Sequence, residues 1–224
     1  MSATNRGAQR HDRDFYPTPA WCVHALLKRV RFPGGRWLEP CVGDGAIVRA
    51  VNAVRDDVQW VTCDVRPECE TALDIPGVRR HWIGDFLDPA AVPLDEFDVI
   101  PTNPPFALAR AFADRALALS KVVAFLLRLN WLRGTDKHNA WIRAHMPSVY
   151  VLPQRPSFDG RGTDATEYSW MVWGLDQTPT IAMLDDTPDA VRLSSNLELR
   201  RRDFAVGSLF DREEPGLFDE VESK

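Results

Sequence analysis

The 224-residue sequence is poor in the residues that build metal and disulfide frameworks. Its four cysteines, Cys22, Cys41, Cys63 and Cys69, form no C-x-x-C pair, and its five histidines show no metal-ligand spacing. A zinc framework is excluded on that ground, no metal is expected, and the thiols read as reduced thiols of a cytoplasmic protein. No apolar run approaches the length that spans a bilayer, and the opening stretch MSATNRGAQRHDRD is polar, so neither a membrane span nor a secretory leader is expected. No internal repeat is present. An overall excess of positive charge is also missing, since the net charge is −5. What is there is 45% hydrophobic and 26% charged, enough apolar material for one globular domain with a sizeable core. The charge is unevenly spread. Residues 120–162 carry seven Lys/Arg against Asp136 and Asp159, whereas residues 203–224 carry seven Asp/Glu against Arg212 and Lys224. The basic middle suits phosphates or is a solvated face; the acidic end reads as a tail.

The order of elements points to an α/β fold. RWLEPCVG (36–43) is a short apolar run ending in a glycine turn, and AIVRAVNAV (46–54) has helical spacing. VQWVTCDV (58–65) and VRRHWIGDF (78–86) read as strands that end on acids. FDVIPTNPP (97–105) is a strand running into two prolines, which a strand interior does not tolerate. FALARAFADRALALS (106–120) is an amphipathic helix, and VVAFLLRLNWL (122–132) is a nearly continuous apolar strand of the kind covered on both faces. A helix near 136–146 and β-rich segments at 148–154 and 168–174 follow, the last two placed to form a hairpin. This alternation predicts a mostly parallel sheet with helices on both faces. Residues 1–13 read as a flexible N-terminus, 14–187 as the domain, and 188–224 as a flexible acidic tail.

In such sheets ligands bind at the carboxyl ends of the strands, where strand order reverses. The turn Glu39-Pro40-Cys41-Val42-Gly43-Asp44-Gly45 follows the first strand and opens a helix. Its glycines let backbone pass close beneath a ligand. Glu39 would repel a pyrophosphate and suits a cation, such as the ammonium of a methionine moiety. Asp64 ends the second strand, placed to take two ribose hydroxyls. Asp85 and Phe86 end the third, where an adenine ring is hydrogen-bonded and packed. Each acid alone also reads as a helix cap or solvated turn.

Asn103-Pro104-Pro105-Phe106 is the strongest signal. A rigid strand-to-helix turn accounts for Pro105 but leaves the asparagine and the aromatic without a reason. Methylation of an amino group supplies one. The lone pair of such a nitrogen is delocalised, so two acceptors, the Asn103 side-chain oxygen and the Pro104 carbonyl, are needed to take its hydrogens and aim the lone pair at a sulfonium methyl. Phe106 then stacks on the flat substrate, and catalysis is mostly placement and electrostatics.

With these residues the sequence resembles the amino-methyltransferase branch of the class I S-adenosylmethionine-dependent enzymes, and within it the DNA adenine-N6 methyltransferases of the phage and prophage kind. The resemblance covers about residues 14–174. It implies a Rossmann-like, mostly parallel seven-stranded sheet with helices on both faces and a C-terminal antiparallel hairpin. It also implies S-adenosylmethionine as cofactor, DNA as partner, and DNA methylation alone or beside a restriction enzyme. Phe15-Tyr16-Pro17-Thr18-Pro19 resembles the segment that closes over the methionine end of the cofactor. The resemblance thereby assigns cofactor binding to Tyr16, Pro17, Thr18, Glu39, Pro40, Gly43, Gly45, Asp64, Asp85, Phe86 and Asn103. It assigns catalysis to Asn103, Pro104, Pro105 and Phe106. Arg155-Pro156-Ser157-Phe158 lies where such enzymes stack an aromatic on the extruded base, which makes Phe106, Phe158 and Arg155 the substrate contacts.

One departure puts sequence specificity in doubt. These enzymes usually carry a target-recognition domain, and here only 133–147, the 155–167 loop and the tail are available. Enzymes that methylate adenine or guanine amino groups in ribosomal or transfer RNA share the motif. So do enzymes that act on glutamine in release factors, which usually carry tyrosine here and a separate helical domain. A non-catalytic nucleic-acid-binding subunit of the same fold is a further alternative. In the tail, Ser208-Leu209-Phe210 and Gly216-Leu217-Phe218 faintly resemble peptides that dock on sliding clamps. The tryptophans Trp131, Trp141, Trp170 and Trp173 read as core, although base stacking uses the same residue type.

Overall fold

The computed structural model describes residues 17–90, 96–158, 165–175 and 178–185. The N-terminal 13 residues, Tyr16 and the tail with its Leu-Phe motifs lie outside the described residues.

Eight strands form one sheet: β1 (Gly35–Glu39), β2 (Val58–Asp64), β3 (Val78–Ile83), β4 (Phe97–Thr102), β5 (Ser120–Arg128), β6 (Ser148–Val151), β7 (Tyr168–Trp173) and β8 (Ile181–Met183). Their order across the sheet is β3-β2-β1-β4-β5-β7-β6-β8. β7 is antiparallel to both β5 and β6, and the other pairings among the described residues are parallel. The chain winds from β1 outward to β3, then returns to build β4 and β5 on the other side of β1. The carboxyl ends of β1 and β4 therefore flank the reversal of strand order, where an open α/β sheet forms its crevice.

Alternating side chains split the core in two. Trp37, Trp60, Val99, Val122, Ala124, Leu126, Trp170 and Val172 belong to the cluster that also holds the buried residues of α1 (Ala20–Arg29) and α2 (Ala46–Asn52). Leu38, Val61, Ile100, Val123, Phe125, Leu127, Met171 and Trp173 belong to the cluster with α3 (Ala109–Leu119) and α4 (Asp136–Ala144). The period of two along each strand serves both faces, which is why β5 reads as an unbroken apolar run. Trp141, Trp170 and Trp173 are buried, and Trp131 packs edge-on against Trp141 and Trp173. Trp170 also donates its indole N–H to the Cys22 carbonyl at 2.8 Å, tying α1 to the sheet. The indoles are structural.

Element boundaries differ from the sequence expectation: β3 stops at Ile83 and not at 86, β4 at Thr102 and not at 105, and β6 at Val151 and not at 154. The strand expected at 122–132 ends at Arg128, where it is paired with Tyr168, the first residue of β7. With the ladder exhausted, Leu129–Leu132 turns into a 3₁₀ helix. The helix expected from 106 begins at Ala109, because Leu108 N–H bonds back to the Pro105 carbonyl at 2.8 Å and makes a separate turn. β8 makes the sheet eight-stranded rather than seven. It is an exposed three-residue edge strand with no hydrophobic alternation to reveal it, fixed by backbone bonds from Val149 N–H to the Thr180 carbonyl (2.7 Å) and from Leu184 N–H to the Val151 carbonyl (2.9 Å). Among the described residues no helix is long and apolar enough to cross a membrane.

Candidate active site

Glu39, the last residue of β1, is 1% exposed, which is rare for a carboxylate without a cationic partner. Its Oε1 accepts the Thr102 hydroxyl at 2.5 Å and the Cys41 amide at 3.2 Å. Its Oε2 is buried with no hydrogen-bond partner among the described residues. Burial pushes the Glu39 pKa up to about 8, with the bonds from Thr102 and Cys41 opposing and the Asp64 carboxylate adding to the rise. A buried polar atom left unpaired costs about 1–3 kcal/mol, so Oε2 is placed for a partner that none of the described residues supplies.

The glycine turn carries this geometry across to β2. Gly43 has φ 55° and donates its amide to Asp64 Oδ2 at 2.9 Å. Gly45 has φ 84°, a left-handed conformation that favours glycine, and a Cβ there would also push on the Ile75 side chain at 2.1 Å. Pro40 is buried between the turn and the sheet end. Asp64 is 4% exposed, and its oxygens also receive the Arg66 amide (3.0 Å) and the Arg66 guanidinium (2.9 and 3.0 Å). Burial alone would raise its pKa. The Arg66 guanidinium and the Gly43 and Arg66 amides outweigh burial and hold the carboxyl below its ordinary value.

β3 stops at Ile83, so Asp85 lies two residues beyond it rather than closing the strand; it is exposed and caps its own turn by accepting the Leu87 amide at 2.8 Å. Phe86 is 1% exposed and packs on Phe112, ring centroids 5.0 Å apart, under the Arg115 guanidinium. Its ring lies in the core below the strand ends. The apolar surface that is available there belongs to Val65 (61% exposed) and Ile83 (44% exposed), which follow or pair with Asp64.

Asn103 follows β4 directly and is half-buried. Its side-chain amide donates to the buried Thr18 hydroxyl at 3.3 Å, which brings the Pro17-Thr18 segment to the motif. Pro17 is half-buried, Pro104 buried and Pro105 exposed. Phe106 and Phe158 are brought together on one residue, Tyr168, at centroid distances of 5.8 and 5.2 Å. Arg128 sits 4.8 Å from the Phe106 centroid and donates Nε–H to the Tyr168 hydroxyl at 3.2 Å. Arg155 is exposed and paired with Glu167 across its own loop. A depression of about 250 Å³ lies beside it, walled by Leu152, Pro153, Tyr168 and Met183.

Thr102, Arg66, Arg128 and Tyr168 contact the candidate residues and were not singled out in the sequence. Arg128 had a signal, a lone charge within the apolar run VVAFLLRLNWL. Thr102 had a weaker one, a polar residue closing the apolar strand FDVIPT. Among the described residues no cluster of metal-ligating side chains occurs.

Neither a family model nor a curated protein matches the sequence. Solved structures do match the fold. A predicted O-methyltransferase from Agrobacterium tumefaciens superposes with a TM-score of 0.55 at 16% identity, over 80% of this chain and 100% of that one. The fold is that of a class I methyltransferase. A protein of Vibrio vulnificus named as the modification subunit of a type I restriction enzyme gives 0.52 at 14% identity, over 83% of this chain and 50% of that one. The 23S rRNA methyltransferase ErmE gives 0.50 at 15% identity, over 80% and 72%. This methyltransferase fold spans about half the length of the modification subunit.

Proposed function

We propose that the protein transfers a methyl group from S-adenosylmethionine to the N6 amino group of adenine in DNA. The observation that carries this reading is the buried Glu39 Oε2 at the strand-order reversal, unpartnered among the described residues and joined through Thr102 to the Asn103-Pro104-Pro105-Phe106 motif that follows the neighbouring strand. A cation with N–H donors satisfies that oxygen, and the ammonium of the cofactor's amino-acid end is such a group. Asp64 takes the ribose hydroxyls, and Val65 and Ile83 line the place for the adenine ring beside Asp85. Bound there, S-adenosylmethionine supplies an electrophilic methyl on a positively charged sulfur.

The chain's own residues then act on the substrate nitrogen. Because Asn103 Nδ2 donates to Thr18, Asn103 Oδ1 is the acceptor for one substrate N–H, and the Pro104 carbonyl accepts the other. The N–C bond forms as the S–C bond breaks. The nitrogen loses one proton to water, since neither acceptor is a base. A target base inside a duplex is out of reach, so it is extruded and held against Phe106, with Phe158 on the same aromatic support. DNA is favoured by the resemblance to phage enzymes and by the likeness to a restriction-enzyme modification subunit; the ErmE likeness keeps RNA as the rival.

The test is transfer of a tritiated methyl to duplex DNA, single-stranded DNA and RNA, followed by nucleoside analysis. The reading expects label in N6-methyladenine from DNA. Label confined to RNA, or no label with any of them, overturns it.

A further inference from the structure

We propose that the Arg66 side chain competes with the cofactor's ribose for Asp64 and is displaced when the cofactor binds. The inference rests on the cofactor reading above. An ionised carboxylate offers about four acceptor positions. On Asp64 four N–H donors occupy them, the Gly43 amide and Arg66 Nη2 on Oδ2 and the Arg66 amide and Arg66 Nε on Oδ1, and the buried Cys69 thiol bonds the same carboxylate. Two of the four are backbone amides fixed by the glycine turn and by the chain leaving β2. The other two are the parallel N–H groups of one guanidinium fork. A ribose presents the same thing, two adjacent O–H donors on one rigid frame. The hydroxyls cannot add to this carboxylate; they can only replace the fork.

The surroundings suit such an exchange. The Arg66 side chain keeps 15% of its surface in solvent, while the Asp64 side chain keeps 5%. The 3₁₀ helix Pro67–Asp74 begins at the next residue and carries the exposed Glu68 and Glu70 in its first turn, and the Glu68 carboxylate already favours the Arg66 charge. Arg66 is therefore a competitor built two residues from the acid it covers, and it lowers the apparent affinity for any ligand that binds Asp64 through a vicinal diol.

The experiment is calorimetry of S-adenosylhomocysteine and of its 2′,3′-dideoxy analogue with wild type, Arg66→Met and Arg66→Lys, with thermal melting to establish that each variant is folded. S-adenosylhomocysteine is expected to bind Arg66→Met three- to thirtyfold more tightly than wild type. Arg66→Lys, which keeps the charge without the fork, falls between them. The dideoxy analogue is expected to show no gain. If wild type binds and folded Arg66→Met binds equally or more weakly, Arg66 positions Asp64 and the inference is wrong. An equal gain for the dideoxy analogue overturns it too. Failure of all three proteins to bind S-adenosylhomocysteine would instead overturn the cofactor reading beneath it.

Discussion

At the carboxyl ends of β1 and β2 the key side chains are buried and fixed in part by backbone amides, whereas at the ends of β4, β5 and β7 half-buried side chains gather round the buried Tyr168 and are held mostly by one another. Glu39 and Asp64 are 1% and 4% exposed, and the Cys41, Gly43 and Arg66 amides fix them. Phe106, Phe158, Tyr168 and Arg128 instead form a cluster of rings and one guanidinium. A site of the first kind is preorganised, and a charged ligand meets oriented dipoles in a low dielectric. A site of the second kind is set by packing that side-chain rotation can change. For Phe106 to stack on a base, the Arg128 guanidinium that covers its ring has to shift, so substrate binding rearranges the cluster itself, whereas cofactor binding moves the Arg66 fork and leaves the Cys41, Gly43 and Arg66 amides in place.

Substitutions sharpen that contrast, beginning with the residue at the seam. Asn103→Ala is expected to cut turnover by roughly 100- to 1000-fold, the scale of losing one preorganised group at a reacting centre, with cofactor affinity changed only a few-fold. Tritium transfer to DNA alongside calorimetry reads both quantities. Near wild-type transfer would remove Asn103 from the chemistry.

On the cofactor side, Asp64→Ala is expected to weaken S-adenosylmethionine by about 1–3 kcal/mol, the worth of charge-assisted bonds to ribose hydroxyls. An unchanged dissociation constant would place the ribose elsewhere.

The pH dependence follows from Glu39. A carboxyl with a pKa near 8 is mostly protonated at pH 7 and must ionise to take an ammonium. Cofactor affinity should therefore rise about tenfold from pH 6 to pH 7, below the range in which the cofactor's own α-ammonium loses its proton, with most of one proton released at pH 7, and Glu39→Gln should lose both effects. The folded pKa lies above the ordinary 4.5, so the linked stability of the empty protein is full below pH 4.5 and is lost as pH rises through 8. Melting temperature should fall between pH 5 and pH 9 more steeply in wild type than in Glu39→Gln. Parallel melting profiles would show that Glu39 is ionised in the empty fold.

On the substrate side the expected effects are smaller and mixed. Phe158 packs on Tyr168 and on the core, so Phe158→Ala should cost roughly 1–2 kcal/mol of stability as well as raising KM for duplex DNA. A lower melting temperature with unchanged KM would confine Phe158 to packing. Arg155, exposed and paired with Glu167, should matter least, and Arg155→Ala should raise KM no more than a few-fold.

Much of this was legible in the sequence because it obeys simple periods. The strand ends carrying Glu39, Asp64 and Asn103 were readable, since each closes an apolar run beside a turn residue. The two-faced burial of β5 followed from its unbroken hydrophobicity. Contacts across the sheet were less readable. Nothing local says that Thr102 meets Glu39, 63 positions away, or that Asn103 meets Thr18, 85 positions away. The Arg66 fork on Asp64 depends on a rotamer, and Phe86 is in the core because β3 stops at Ile83 and the chain turns inward. β8 escaped notice because edge pairing by backbone alone leaves no side-chain pattern.

The central claim is that the Glu39–Asp64 crevice and Asn103 together methylate adenine N6 in DNA. Sequencing with modification detection on genomic DNA from a host expressing the wild-type protein, and separately Asn103→Ala, tests it most directly. The account predicts N6-methyladenine with wild type and its loss with the variant. Unmodified DNA from cells that hold folded wild-type protein, or the same modification with Asn103→Ala, would contradict it.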